Sequence, residues 1–186
     1  MDGLKTRIID HELAYDGTQL APHWIYRNYD LMGDAVVAFI GPATVTTDHM
    51  VDLQDVKANA PIYSPKMLHF IGEWFHDSLD IAVLTQNLFI REVYERLLHR
   101  GIGELSRRGN DIYYQARKLS VSIATKSSVS VLMHTGLNID TDGTPVPTAG
   151  LTELGLKPFI FAQEVLDSFA RDHELWRQAR VKVLAR

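Results

Sequence analysis

The residues best suited to chemistry lie in one segment, RRGNDIYYQARKLSVSIATKSSVSVLMHTGLNID, which covers residues 107–140. It places Lys118 in a turn before an alternating apolar and serine-rich pattern. A lysine is a compact positive charge that can reach a carboxylate or a phosphate. A fixed ammonium also stabilises the negative charge that develops on oxygen when an acyl group is activated. The segment therefore predicts a polar site for a carboxylate or acyl compound, centred on Lys118.

Other polar residues of the same segment are candidates for binding a ligand. Asn110 can both donate and accept, which suits an amide, ureido or carboxylate group. Asp111 could hold Mg²⁺ beside phosphates, because that ion takes few carboxylates and several waters. Arg107 and Arg108 are candidate anion contacts.

Simpler interpretations of these residues stay open. Lys118 could be an ordinary solvated lysine, since lysines are rarely buried. The Asn110–Asp111 pair is also typical of a turn that enters a strand. His134 could be a buried, hydrogen-bonded histidine of a strand, and a solvated strand edge would equally explain the two arginines.

Hydrophobic patterns define the elements that must position this segment. Strands are predicted at Thr6–Asp10, Asp34–Ile40 and Thr44–Thr47, with a helix at Ala21–Met32 before the second of them. Alternation around the turn Lys126–Ser128 predicts a β-hairpin, and Asp111–Tyr114 predicts a short strand before it.

Three further helices are predicted from apolar positions at helical spacing. From Pro65 onward, the first carries a stripe of Met67, Phe70, Ile71, Trp74 and Phe75. The second runs from about Ala82 to Arg100, with Leu84, Leu88, Val93 and Leu97 facing inward, and the third begins near Pro158 with Phe161, Val165 and Phe169 buried. His69 and Glu73 lie four apart in the first of these helices, a spacing that suits a metal but is common by chance, and no metal site is predicted.

The grouping of strands favours an α+β class over a doubly wound sheet. We expect a single domain, 1–186, with a core at about residues 34–140 and a C-terminal helix at about 158–182.

Composition bounds the function classes. The formal charge is −4 and the pI about 6.0, which argues against a nucleic-acid-binding protein. The chain has no cysteine, which excludes disulfides, zinc–thiolate sites and a cysteine nucleophile. No long apolar run is present, and the first ten residues are too charged for a signal peptide, so we expect a cytoplasmic protein without membrane contact.

The segment around Lys118 resembles the biotin/lipoate protein ligase and octanoyltransferase superfamily. In that superfamily an Asn-Asp pair opens a strand, a lysine precedes a strand of small residues, and the return strand carries a motif such as H-G-x-[LA]-x-[LN]. By this resemblance Asn110, Asp111 and Lys118 match the ligand-binding pair and the invariant lysine, and His134, Gly136 and Asn138 match the return strand. The spacing also resembles a prokaryotic family known as a domain of unknown function and placed near this superfamily.

The resemblance implies a mixed, largely antiparallel sheet packed with helices, as in class II synthetases, and a small carboxylate or acyl ligand. It implies a transferase or ligase that could use ATP and Mg²⁺, with Lys118 as the catalytic residue. Two departures favour a non-catalytic binding or interaction domain instead: residues 56–63 lack the glycines of the ligases' adenylate loop, and there is no octanoyltransferase cysteine. A homodimer paired through sheet edges is a further expectation.

Overall fold

The computed structural model describes residues 3–184 as a mixed α+β fold with a mostly antiparallel sheet, which confirms the predicted fold class. The strands are β1 (Lys5–Ile8), β2 (Ala35–Val45), β3 (Ile62–Trp74), β4 (Leu105–Arg108), β5 (Asp111–Tyr114), β6 (Arg117–Lys118), β7 (Ser120–Lys126) and β8 (Val131–Asp140). The helices are α1 (Trp24–Tyr29), α2 (Leu53–Ala58), α3 (Leu79–His99) and α4 (Pro158–Val181). Among residues 3–184, no helix combines the length and the apolarity needed to cross a membrane.

Five strands form the main sheet in the order β1-β2-β3-β8-β7, and β4, β5 and β6 form a second, smaller sheet. Strands β1 and β2 are parallel, whereas the other neighbours in the main sheet are antiparallel. The predicted hairpin is confirmed as β7 and β8, with a register from Ser120 opposite Leu137 to Lys126 opposite Val131. The predicted short strand is confirmed as β5.

The main sheet has one face covered by long helices and another that packs against loops. Helix α3 packs on β7 and β8, and α4 packs on β1 and β2. The side chains between them include Val36, Leu68, Phe70, Met133 and Leu137. A second apolar cluster lies on the opposite face. Because side chains alternate along a strand, β2 and β3 each supply both clusters.

The two long helices occur where the sequence predicts them. Ser78 caps α3, since its side chain accepts a hydrogen bond from the backbone N–H of Ile81 at 3.2 Å. Pro158 is the first residue of α4. The inward face of α3 was predicted wrongly in its first half, because Leu84 and Leu88 are 62% and 45% exposed. Leucines lie on both the buried and the exposed face of this helix, so their spacing does not identify which face is buried.

The predicted helix beginning at Pro65 is wrong, because this segment lies in β3. The strand is buried on both faces over most of its length, so apolar residues occupy odd and even positions alike. Met67, Phe70, Ile71 and Trp74 then fit a helical spacing by coincidence. Pro65 lies within the register shift of the ladder to β2, next to the shift of the ladder to β8 between Lys66 and Met67, and such irregularities are where a sheet accepts proline.

Two other boundaries differ from the predictions. The first helix, α1, is shorter than 21–32 and ends at Tyr29, where the capping residue Asp30 has a left-handed φ of 57°. The strands predicted at 34–40 and 44–47 are one strand, β2, with a bulge between Gly41 and Ala43 that accommodates Pro42.

Gly41 is required where the chain before α1 crosses β2. A Cβ at this position would meet the backbone carbonyl of Leu13. Backbone cannot rotate away as a flexible side chain can, so the sheet needs glycine at this crossing.

We expect Gly41→Ala to lower the free energy of unfolding by about 3 kcal/mol, because the added methyl forces the backbone of Leu13 to move. Urea denaturation followed by circular dichroism measures this loss. Gly103→Ala is the control, since nothing lies within 4 Å of a Cβ there. Equal stability of the two variants would contradict the assigned crossing.

Candidate functional site

A cavity of about 630 Å³ opens on the face of the main sheet away from α3 and α4. Strands β3, β7 and β8 form its floor. One wall is the β2–β3 connection, which contains α2, and another is the loop at 144–148. The small sheet contributes Asp111 and Lys118 to its rim.

Alternation along β8 decides which side chains face the cavity. His134 and Asn138 line it, whereas Met133, Leu137 and Ile139 lie in the core beneath the helices. Gly136 lies between His134 and Asn138 on this strand, opposite Val121 of β7. A Cβ at Gly136 would come within 2.6 Å of the Met67 side chain, so glycine leaves room for that methionine on the floor.

The predicted centre of the site contains an ion pair. Lys118 Nζ lies 2.8 Å from the Asp111 carboxylate, and both side chains are about three-quarters buried. The hairpin of β5 and β6 brings them together, since Tyr113 pairs with Lys118.

Backbone hydrogen bonds hold Lys118 in place. Its N–H donates to the carbonyl of Pro147, and its own carbonyl accepts from Ala149, both at 3.0 Å. The Asn138 side chain donates to the same carbonyl at 3.3 Å. The structure thus brings Lys118, Asp111 and Asn138 together.

Two more carboxylates stand near this ion pair, on the wall formed by α2. Asp52 caps the helix by accepting hydrogen bonds from the backbone N–H groups of Gln54 and Asp55. Burial raises the pKa of Asp55, and Asp52 and Asp111 raise it further, whereas Lys118 opposes them. Lys118 therefore pairs with Asp111 and also interacts electrostatically with Asp55.

The remaining predicted site residues lie elsewhere in the small sheet. Arg107 and Arg108 are exposed on β4, and the Arg108 guanidinium lies 5.0 Å from the centre of the Tyr113 ring. Asn110 is half-buried in the turn between β4 and β5. None of these three residues lines the cavity.

The floor contains a pair of histidines of which sequence reasoning identified only one. His69 Nδ1 lies 3.0 Å from His134 Nε2, and His69 Nε2 lies 3.1 Å from the carbonyl oxygen of Gly41. The Tyr15 ring stacks on His134, with 3.9 Å between the ring centres. Burial lowers the pKa of His69 to about 4, and burial together with His69 lowers the pKa of His134 well below its usual value. Both rings are therefore neutral at pH 7.

Glu73, which shares a strand face with His69, has a structural role. Its carboxylate accepts hydrogen bonds from the backbone N–H of His23 at 2.8 Å and from the Ser130 hydroxyl at 2.6 Å. These contacts fasten the start of α1 to the sheet. Within residues 3–184 no group of three or more acidic or histidine side chains is arranged to hold a metal ion.

A strand interpretation of residues 67–73 could have placed His69 on the floor, because Met67, His69, Ile71 and Glu73 share one face of a strand. No local signal identifies Tyr15, which reaches His134 from a segment more than a hundred residues away.

Comparison with known proteins identifies relatives of the whole chain. The model of a family described as "Domain of unknown function (DUF366)" matches residues 4–184. An uncharacterised protein of Methanocaldococcus jannaschii is 35% identical over 156 residues, which cover 80% of this chain and 70% of that protein. A protein of unknown function from Pyrococcus horikoshi has a solved structure with 39% identity and a TM-score of 0.94, and the match covers 98% of this chain and 99% of the other.

More distant solved structures share the fold. A mutant biotin protein ligase from Aquifex aeolicus, in complex with biotin, has a TM-score of 0.61 at 15% identity, and the match covers 94% and 72% of the two chains. A bi-partite lipoate protein ligase from Thermoplasma acidophilum has a TM-score of 0.57 at 15% identity, and the match covers 90% of this chain and 83% of that chain. Lipoate-protein ligase A bound with ATP has a TM-score of 0.56 at 16% identity, and the match covers 90% of this chain and 85% of that chain. The fold is thus that of biotin and lipoate ligases.

We expect the free energy of unfolding to decrease as the pH falls from 6.5 toward 4. The pKa of His69 is lowered in the folded chain to about 4 from 6.5, so the unfolded chain binds more protons in this window. At 1.36 kcal/mol per pKa unit, this one group accounts for roughly 3 kcal/mol across the window. The lowered pKa of His134 acts in the same direction.

Urea denaturation at pH 7.5, 6.5, 5.5 and 5.0 measures this dependence. His69→Gln should make the slope shallower, whereas His11→Gln, at an exposed position, should leave it unchanged. Histidine NMR titration provides a second test that needs no variant. A His69 signal that titrates near pH 6.5 would contradict the assigned burial and its effect on the pKa.

Proposed function

The chain belongs to the DUF366 family, and from the fold that it shares with biotin and lipoate ligases we propose that it is an acyl- or carboxylate-handling transferase or ligase. Its ligand is a small carboxylic acid or an activated form of one, bound in the cavity beside Lys118.

The observation that carries this proposal is a lysine ammonium at the rim of a largely apolar cavity. Val121, Ile123 and Met67 supply the apolar floor, and Lys118 supplies the positive charge. Carboxylic acids with an apolar tail have this same division into a charged head and an uncharged body. A cavity of about 630 Å³ is also within the usual range for small-molecule sites.

The ion pair with Asp111 leaves Lys118 able to bind a ligand. An ammonium has three N–H donors, and one contact to Asp111 uses one of them. The carboxylate also fixes the direction of the flexible lysine side chain before the ligand arrives, which lowers the entropic cost of binding. In an acyl-transfer reaction, the same ammonium would stabilise the negative charge on the acyl oxygen.

The residues of the β2–β3 connection do not fit an ATP triphosphate. Residues 46–61 contain no glycine, which close approach of backbone to phosphate requires. The backbone N–H groups of Gln54 and Asp55 at the start of α2 already donate to Asp52. The carboxylates of Asp52 and Asp55 would in addition repel phosphate oxygens. We therefore assign no step to ATP or Mg²⁺.

A non-catalytic carboxylate-binding protein is the second candidate function. It is favoured by the acidic β2–β3 connection and by the absence of cysteine from the sequence. Pyrophosphate release in the presence of ATP and octanoate, lipoate or biotin would identify a ligase. Transfer of octanoate from a thioester to an amine would identify a transferase. Binding without either reaction would favour this second candidate.

We expect Lys118→Met to weaken binding of octanoate roughly 10- to 100-fold, measured by isothermal titration calorimetry. The physical reason is the loss of a charge-assisted hydrogen bond worth about 1.5–3 kcal/mol. Lys126→Met is the matched control, because that lysine lies at the exposed far end of β7 and does not line the cavity.

The double variant Lys118→Met/Asp111→Leu separates two explanations of that loss. If Lys118 contacts the ligand, the double variant recovers only the part due to repulsion from Asp111. If Lys118 serves only to neutralise Asp111, binding returns fully. Full recovery, or wild-type protein that binds none of the three acids, would refute the proposed role of Lys118.

A further inference from the structure

Two hydrogen bonds of His69, one to the Gly41 carbonyl and one to His134, fix the tautomer of both rings. The Gly41 carbonyl can only accept, so His69 Nε2 carries the proton. In a neutral ring His69 Nδ1 is then an acceptor, so His134 Nε2 donates to it. His134 Nδ1 is consequently left as an acceptor at the floor of the cavity. This assignment of donors and acceptors follows from the backbone carbonyl of Gly41, which can only accept a hydrogen bond.

The ring of His134 is held so that this acceptor can reach a ligand. Tyr15 covers one face of the ring, and Nε2 is occupied by His69. The adjacent Cε1 atom would lie 3.4 Å from a Cβ at Gly136, so this edge of the ring passes over the glycine. Since His134 lines the cavity, Nδ1 is the polar atom of its ring that remains for a ligand.

We propose that His134 Nδ1 selects a ligand that carries an O–H or N–H donor roughly 10 Å from its carboxyl group, the reach of an extended eight-carbon chain. This inference rests on the proposed function, because Lys118 must hold the carboxyl end. It specifies the ligand class further: a carboxylic or acyl compound whose body ends in a hydrogen-bond donor.

The spacing of the site sets the length of that ligand. His134 and Asn138 are four residues apart on β8, which is about 13 Å at the rise of a strand. Asn138 marks the Lys118 end, because its side chain contacts the Lys118 carbonyl. With C–C bonds of about 1.5 Å, an extended eight-carbon acid with a terminal donor reaches roughly 10 Å. The side chains of Lys118 and His134 can extend toward the ligand and cover the rest of the distance. Gly136 lies between the two ends, and the Met67 side chain fills the space above it, so the apolar body of the ligand would lie on that methionine.

Selectivity follows from pairing an acceptor that is already buried. His134 is 2% exposed, so its Nδ1 has little contact with water, and a ligand donor adds a hydrogen bond worth about 0.5–1.5 kcal/mol that an analogue without a donor cannot make. A site built to pair with a polar group therefore rejects analogues that lack it. The lowered pKa values of both rings support this assignment, because neither ring becomes a cationic donor near pH 7.

The tautomers can be tested without any ligand. Long-range ¹H–¹⁵N correlation spectra of the wild-type protein at pH 7 should show the Nε2–H form for His69 and for His134. A protonated Nδ1 on His134 would overturn the inference and leave the proposed function untouched.

Selectivity can be tested with 8-hydroxyoctanoate and 8-methoxyoctanoate, which differ in the terminal donor. Wild-type protein should bind the hydroxy acid about tenfold more tightly, the equivalent of 1.4 kcal/mol. His134→Phe keeps an aromatic ring for Tyr15 and should abolish the difference, whereas Lys118→Met should weaken both acids alike. Equal binding by wild type would refute the inference alone, and binding of neither acid would refute the proposed function.

Discussion

The alternation of side chains along β8, held between β3 and β7, is the constraint on which both core and site depend. Because every second side chain faces one side, the same strand places Met133 and Leu137 beneath the helices and His134 and Asn138 in the cavity. A shift of one residue in the register would exchange these sets. Pairing of β8 with β3 and β7 therefore determines which side chains of β8 enter the core and which enter the cavity.

Electrostatics then distinguishes the two ends of the cavity. At the rim, Lys118 is a positive charge that pairs with Asp111 and interacts electrostatically with Asp55. On the floor, burial keeps His69 and His134 neutral, so these rings form directional hydrogen bonds as uncharged donors and acceptors. One end can thus recognise an ionised group and the other an uncharged polar group. The apolar surface between the two ends contributes to affinity through the hydrophobic effect, which is non-directional and so does little to orient a ligand.

Local sequence signals predicted much of this arrangement and failed where contacts are distant. Lys118 and Asp111 are close in the sequence and meet across a short hairpin, so their contact could be predicted. β3 was mistaken for a helix, because a strand buried on both faces loses the alternation that identifies it. The loss of that strand removed His69 from the predicted site. Its partner Gly41 is 28 residues away, and no local pattern encodes such a contact.

The shared fold and the local chemistry carry different information about function. Biotin and lipoate ligases share this architecture at about 15% identity, a level at which the fold persists while sites change. The β2–β3 connection illustrates such a change: in this chain it presents capped backbone N–H groups and carboxylates. Such a wall offers no free backbone N–H groups of Gln54 and Asp55 to a triphosphate, whereas the function that we propose uses the floor and the ammonium of Lys118. The function that we propose therefore rests on the floor and the lysine, since the wall does not suit the triphosphate of ATP, to which one protein of the same fold is bound.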